Sequence, residues 1–504
     1  MDAEDLVDQL DAIRSFVGWG WTLDDAVVKL KRMGTDPARV DAAAELFRRE
    51  LDRIVEVPVM KDSGRDNWFA GPEPQHRFWP DARERLSRRL DAETLAGIDQ
   101  LTTATLNAMS APGTREFSDR GLVLGYVQSG KTTNFTALAA KPVDARYKLV
   151  IVLAGLTDNL RWQTQVRLDT DLVGVDTAHQ WQQLTNANSD FVTPIQNAAN
   201  MLFTNPAPLL AVVKKNSSRL RALRDWLLSA GSQVLGNTPI LVIDDEADQA
   251  SLNTAAGGEI SRINSLIRDI VSFPRVAYVA YTATPFANLL INPSVDDDLY
   301  PRTFIVSMPC PDTYFGASRI FGSLSDPGAE PIDMVRLVSQ GEVAAMEAPR
   351  DAEARHNWRP QIGDGLRSAI DWFLLATAAR RARHGELHHS TMLVHTSMLA
   401  DAHYAVSATV EGVLDELRRL EADEKGVLAE RLRRVYESET ERVPAEQFGR
   451  EKVPFDDLVG HVAEVLAEVR VVVDNYVSDD RLSYDGPEPT VAIVVGGNTL
   501  SRGL

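Results

Sequence analysis

The chain holds a single cysteine, Cys310, among 504 residues, so no disulfide can form within it and no cysteine-cluster zinc site can be built. It also lacks any apolar run near the roughly 20 residues that a membrane-spanning helix needs. The first ten residues, MDAEDLVDQL, carry acids where a secretory signal carries basic residues and then an apolar stretch. These absences point to the reducing cytoplasm and to no membrane partner. Positive charge is short as well: 53 Lys and Arg stand against 72 Asp and Glu, a formal net charge of −19. Phosphate neutralisation supplies most non-specific affinity for nucleic acid, so this balance argues against a broadly DNA-coated surface but leaves room for a local groove. Basic clusters occur at 214–224 (KKNSSRLRALR), 380–389 (RRARHGELHH) and 431–434 (RLRR). Each reads more readily as the solvated face of a helix.

What the chain does have is 44% hydrophobic content, ample for sizeable cores, and length for about three domains. Residues 1–115 read as a helical region. Leu6, Leu10, Ile13 and Val17 recur at helical spacing, Thr22 with Asp25 resembles a capping box, and Asp36-Pro37 is a helix start. Leu95, Ile98, Thr102 and Met109 mark another amphipathic helix. The aromatic stretch NWFAGPEPQHRFWPD (67–81) reads as a packed connector rather than a base-stacking platform.

From 116 to 300 the pattern changes. Short, near-continuously apolar runs, GLVLGYV (121–127), KLVIVLAG (148–155), PLLAVVKK (208–215), PILVIDDE (239–246) and RVAYVAYT (275–282), alternate with helical stretches such as 158–168 and 218–230. Strands buried on both faces and joined by crossover helices make a parallel, doubly wound sheet. Ligands of such sheets bind at the carboxyl ends of the strands.

The chemistry-bearing motifs sit at those ends. GYVQSGKTT (125–133) is a complete GxxxxGK[ST] phosphate loop between an apolar strand and a helix. Gly125 and Gly130 let the backbone curl so that amides, including those of Gln128 and Ser129, face the phosphates of ATP. Lys131 reaches the β- and γ-phosphates, the Thr132 hydroxyl is a ligand for Mg2+, and Thr133 completes the nucleotide-binding set. In ILVIDDEADQAS (240–251), Asp245 is the choice for the magnesium-side carboxylate, with Asp244 competing, and Glu246 for the base that activates water. Asp248 can bond to the next strand end, YTATPFAN (281–288), where Thr282 and Thr284 carry hydroxyls able to sense nucleotide state.

GYVQSGKT, DEAD at 245–248 and TAT at 282–284 resemble motifs I, II and III of superfamily 2 helicases. More specifically the chain resembles the Z1 domain family. That resemblance runs through FWPD (78–81), 120–135, 151–168, 241–254, 281–290 and VVGGNTLSRGL (494–504). It implies an α/β fold of P-loop, RecA-like parallel sheets in tandem lobes, preceded by an α-helical N-terminal domain. It further implies an ATP-driven machine on nucleic acid, DNA foremost, in bacterial anti-phage defence, with a MutL-like ATPase and other defence proteins as partners. Within it, Ser501 and Arg502 fall in motif V, which contacts nucleic acid and nucleotide, while Arg161 and Gln165 match the pattern near the nucleic-acid motifs. Helix packing explains the last two nearly as well.

Residues 301–504 then hold a linker, a helical insertion at 411–475 and an incomplete second lobe with candidate strands at 391–397 and 490–497. The family continues into a motif VI whose arginine would stabilise charge on the γ-phosphate, and the sequence stops at Leu504. On that basis the chain reads as a fragment, with ATP binding better supported than hydrolysis. His388-His389 has no companion at metal-ligand spacing, and His395 reads as a core residue. Three functions follow: a translocating motor, a nucleotide-gated switch that assembles partners, and a scaffold that has lost turnover.

Overall fold

The computed structural model describes residues 6–52, 59–61, 67–126, 130–174, 180–248, 259–284, 286–289, 298–310, 315–322, 331–384, 388–475, 477–478, 482, 484 and 489–497. The chain divides into two units, Met1–Tyr314 and Phe315–Leu504.

The first unit opens with helices Val7–Gly18, Leu23–Arg32 and Pro37–Asp52, which close on their own small core of Leu6, Leu10, Ile13, Val17, Leu30, Val40 and Phe47. The expected start signals are present: the Thr22 hydroxyl accepts from the Asp25 amide at 3.1 Å, and the Asp36 carboxylate from the Ala38 amide at 3.0 Å. The connector at 67–81 is packed. Trp68 donates its indole N–H to the Met109 carbonyl at 2.8 Å, and Phe69 and Trp79 are buried.

Among the described residues the main sheet holds β1 (Val59–Lys61), β2 (Phe117–Leu124), β3 (Leu149–Ala154), β4 (Gln182–Gln183), β5 (Leu209–Lys214), β6 (Ile240–Asp245), β7 (Arg275–Thr282) and β8 (Phe304–Ser307). Their order is β1-β8-β2-β7-β6-β3-β5-β4; β1 runs antiparallel to β8 at one edge and the other pairs are parallel. Side chains alternate between two buried layers. Val123, Val150, Val152, Leu241, Ile243 and Val279 meet helices 78–87, 92–108 and 131–144. Leu122, Ile151, Leu153, Val242, Val276 and Tyr278 meet helices 217–228 and 259–271. Burial on both faces explains why these strands read as unbroken apolar runs rather than as alternation.

The second unit carries a smaller parallel sheet of β9 (Ser390–His395), β10 (Arg470–Asp474) and β11 (Val491–Gly496), in the order β10-β11-β9. Helices Asp364–His384, Ala400–Asp423, Lys425–Arg442 and Phe455–Glu468 share one core with Val491, Ile493 and Val495. The stretch 411–475 is therefore helical for most of its length but ends in a strand of this sheet, and its helices pack on that sheet. His395 is exposed rather than in the core; among the described residues β9 lies at an edge of this sheet.

Candidate nucleotide site

The loop after β2 is fixed from both sides. The Gly125 amide donates to the Thr282 carbonyl of β7 at 3.0 Å, and the Leu124 carbonyl accepts from the Met308 amide just beyond β8 at 2.8 Å. A β-carbon on Gly125 would lie 2.7 Å from Lys131 Cγ and 3.0 Å from Met308 Sδ, so this glycine is needed for space. Gly130 is needed for conformation, since its φ of +80° is left-handed. Helix 131–144 begins at once behind it, which places Lys131, Thr132 and Thr133 in a first turn whose amides and dipole favour an anion. Lys131 Nζ folds back to the Tyr126 carbonyl at 3.1 Å, and Thr132 Oγ1 accepts from Arg167 Nη1 at 3.3 Å. Gln128 and Ser129 lie outside the described residues, as do Ser501 and Arg502.

The acidic end of β6 separates three carboxylates by environment. Asp244 is fully buried, with Lys215 Nζ 2.6 Å from its Oδ1 and the Tyr278 hydroxyl donating to its Oδ2 at 2.5 Å. Burial, and then Asp244 itself, raises the Tyr278 pKa well above its ordinary value, which keeps that hydroxyl a donor. Asp245 sits partly exposed at the strand's mouth. Burial of its surroundings, seconded by the neighbouring Glu246, pushes its carboxyl up to about 6, while Lys215 and Lys131 pull the other way. Glu246 takes a φ of +61°, unusual for a residue with a side chain.

The third strand end joins them. Thr282 Oγ1 donates to Asp248 Oδ1 at 3.1 Å, Thr284 Oγ1 to Asp248 Oδ2 at 2.8 Å, and the Thr284 amide to Thr282 Oγ1 at 2.9 Å. The Ala247 amide donates to the Tyr281 carbonyl at 3.0 Å, tying the acidic turn to β7. Because β7 lies between β2 and β6, the structure brings the loop, the acids and the threonines to three adjacent strand ends. The chain leaves β2 toward β3 on one side and later returns to β8 on the other, which makes this the switch point where open α/β sheets bind ligands.

Arg161 and Gln165 go elsewhere. Both are buried: Arg161 donates to the carbonyls of Asn186 and Ala187 at 3.1 and 2.7 Å, and Gln165 bonds Asp169 and Thr185 at 2.8 Å each. The basic clusters are also largely committed. Lys214 pairs with Asp158, Arg224 with Asp269, Arg381 with Glu468, Arg431 with Asp371 and Arg433 with Asp456. Two cations at the site escape notice in the sequence, Lys215 inside a cluster that reads as solvated and Arg167 inside an amphipathic helix. The signal for Lys215 is its position just past a strand's carboxyl end.

Magnesium fits the donors present. Among the described residues no three His, Cys, Asp or Glu come together to hold a metal unaided, whereas Thr132 and Asp245 suit a cation that keeps water and phosphate as its other ligands.

Residues 365–504 match the model of the Z1 domain. The chain is also similar to solved structures, among them the ATP-dependent Type ISP restriction-modification enzyme LlaBIII bound to DNA (13% identity, TM-score 0.32, 69% of this chain and 22% of that one). Others are T4 UvsW (11%, 0.24, 73% and 54%) and the Sulfolobus solfataricus SWI2/SNF2 ATPase core in complex with dsDNA (12%, 0.25, 81% and 78%). The chain thus spans about a fifth of the first and about half of the second. At TM-scores of this size the likeness transfers neither a site nor an activity. No curated protein of similar sequence was found. No helix among the described residues is long and apolar enough to cross a membrane.

Proposed function

We propose that this chain is a helicase-like ATPase that couples hydrolysis of ATP to movement along nucleic acid, DNA foremost. The observation that carries it is the convergence of three strand ends: the phosphate loop after β2, Asp245 and Glu246 at β6, and the Asp248–Thr282–Thr284 network on β7 between them. In this reading the loop amides and the Lys131 ammonium hold the phosphates, Thr132 and Asp245 hold the cation, and the Glu246 carboxylate orients the attacking water and takes its proton. Magnesium, when bound, neutralises charge on the phosphate oxygens. Asp248 is bonded to both threonines, so a shift of the acidic turn as the γ-phosphate leaves is passed to β7. Ser501 and Arg502 are proposed as further coupling residues on the motif V resemblance alone.

On the resemblance to the Z1 domain family we further propose a role in bacterial anti-phage defence, with a MutL-like ATPase and other defence proteins as partners. The cytoplasm remains the proposed compartment.

ATP hydrolysis by the protein alone and with single-stranded DNA, double-stranded DNA or RNA tests the motor, with Lys131→Ala and Glu246→Gln as controls. Stimulation by one polymer, lost in both variants, is the expected result. Hydrolysis indifferent to every polymer would replace the motor with a nucleotide-gated switch, and no hydrolysis would leave a scaffold.

A further inference from the structure

We propose that Lys215 is a positioning residue for Glu246: its buried ammonium pins the backbone turn from which the Glu246 carboxylate is presented. The proposal rests on the nucleotide-hydrolase reading and goes beyond it, since neither the phosphate-loop pattern nor the DEAD motif includes a residue from this strand.

Lys215 follows β5 directly, with its amide on the Ala154 carbonyl at 3.3 Å. Because β3 separates β5 from β6, its side chain crosses one strand to reach the acidic end of β6. There Nζ lies 2.6 Å from Asp244 Oδ1 and donates to the Glu246 carbonyl at 2.8 Å, with both charged side chains fully buried. A left-handed glutamate persists only where its surroundings fix it. Two such contacts bracket the residue, Lys215 on the Glu246 carbonyl and Tyr281 on the Ala247 amide.

Stability does not account for this arrangement. A buried ion pair gains little over well-packed apolar side chains of similar volume, and losing one partner is costly. What an apolar pair would lack is the donor on the Glu246 carbonyl. Asp244 Oδ1 lies against the ammonium, and the Tyr278 hydroxyl holds the other carboxylate oxygen. Asp244 therefore belongs to the support of the site rather than to the metal.

The test uses the whole protein and three variants: Lys215→Met, Lys215→Met/Asp244→Asn and Glu246→Gln. Asparagine still offers an acceptor to Tyr278, so the double variant removes both charges and is expected to recover the thermal stability that Lys215→Met loses. If Lys215 positions Glu246, turnover stays depressed in the double variant by roughly 10- to 100-fold, the range seen when partners that orient metal ligands are removed. Affinity for a fluorescent ATP analogue stays near that of the parent protein, giving a loss in kcat with little change in KM. Recovery of turnover together with stability would overturn the proposal. Hydrogen exchange at the Ala247 amide supplies a readout free of catalysis: it is expected to accelerate in the double variant, and unchanged protection there would also refute the pinning. If the parent protein hydrolyses no nucleotide, the functional reading fails while the exchange experiment still decides the geometry.

Discussion

Lys141 lies fully buried on the helix that begins at the phosphate loop, and it shows how far a single residue can be driven from its ordinary chemistry. Its ammonium bonds the Asp99 carbonyl at 2.6 Å and Thr103 Oγ1 at 2.7 Å, pairs with the Asp99 carboxylate and stands 4.9 Å over the Trp79 ring. Burial lowers its pKa from 10.5 to about 8 despite the pull of Asp99. Between those values the unfolded chain binds a proton that the folded chain does not, so stability should rise with pH across this window. The slope contributed is at most about 1.4 kcal/mol per pH unit, and below pH 8 the contribution is flat. Urea unfolding at pH 8 and pH 9.5, compared with Lys141→Met, isolates it; equal slopes in the two proteins would show that Lys141 titrates normally. Lys131, ten residues earlier on the same helix, lies partly exposed at the phosphate end, and its replacement by Ala is expected to abolish nucleotide binding with little effect on the melting temperature.

At the scale of elements, helix 78–87 begins without a cap from its own first residue, and Asp144 supplies one from the end of helix 131–144. Its carboxylate accepts from the amides of Arg77, Phe78 and Trp79 at 2.8, 2.9 and 2.8 Å. Asp144→Ala should therefore cost about 1–3 kcal/mol, seen as a lower melting temperature, and Asp144→Asn clearly less. An equal loss in both would mean that charge rather than geometry holds the helix. Legibility of elements followed burial. β2, β3, β5, β6 and β7 are two-sided core strands whose apolar runs announce them, and Thr22 and Asp36 mark their helix starts where the structure has them. By contrast β8, with its four residues, and β1 at the sheet edge carry too short a pattern to stand out. The run at β10 is concealed by the helical periodicity of residues 400–468 before it.

At the scale of the molecule the decisive quantity is charge. A net −19 is spread over a chain whose visible basic clusters are in part tied into ion pairs with acids of the same unit. These pairs leave fewer cations to displace counterions from a phosphate backbone. If nucleic acid is the track, its affinity should depend only shallowly on salt, well short of the slope for a protein that neutralises about 6–10 phosphates. Measuring log Kd against log salt for a DNA that stimulates hydrolysis checks this, and a steep slope would mean that an extensive basic path forms outside these clusters.

The sequence by itself determined the glycine turn after β2, the acids after β6, the threonines after β7 and the parallel, two-sided character of the sheet between them. Each of these depends on local spacing: a tight turn needs glycine at fixed positions, and burial on both faces needs an uninterrupted apolar run. Tertiary structure alone decided among neighbours that look alike in the chain. Lys214 pairs near the surface while Lys215 is buried, and Asp244 is locked to Lys215 and Tyr278 while Asp245 stays at the mouth. Arg161 and Gln165 likewise turn out to be buried and bonded within the protein. Those outcomes depend on which strand lies beside which, and β5 reaches β6 only across β3. That long-range pairing sets the burial, and burial sets which charged group is held neutralised and which is left to meet a ligand.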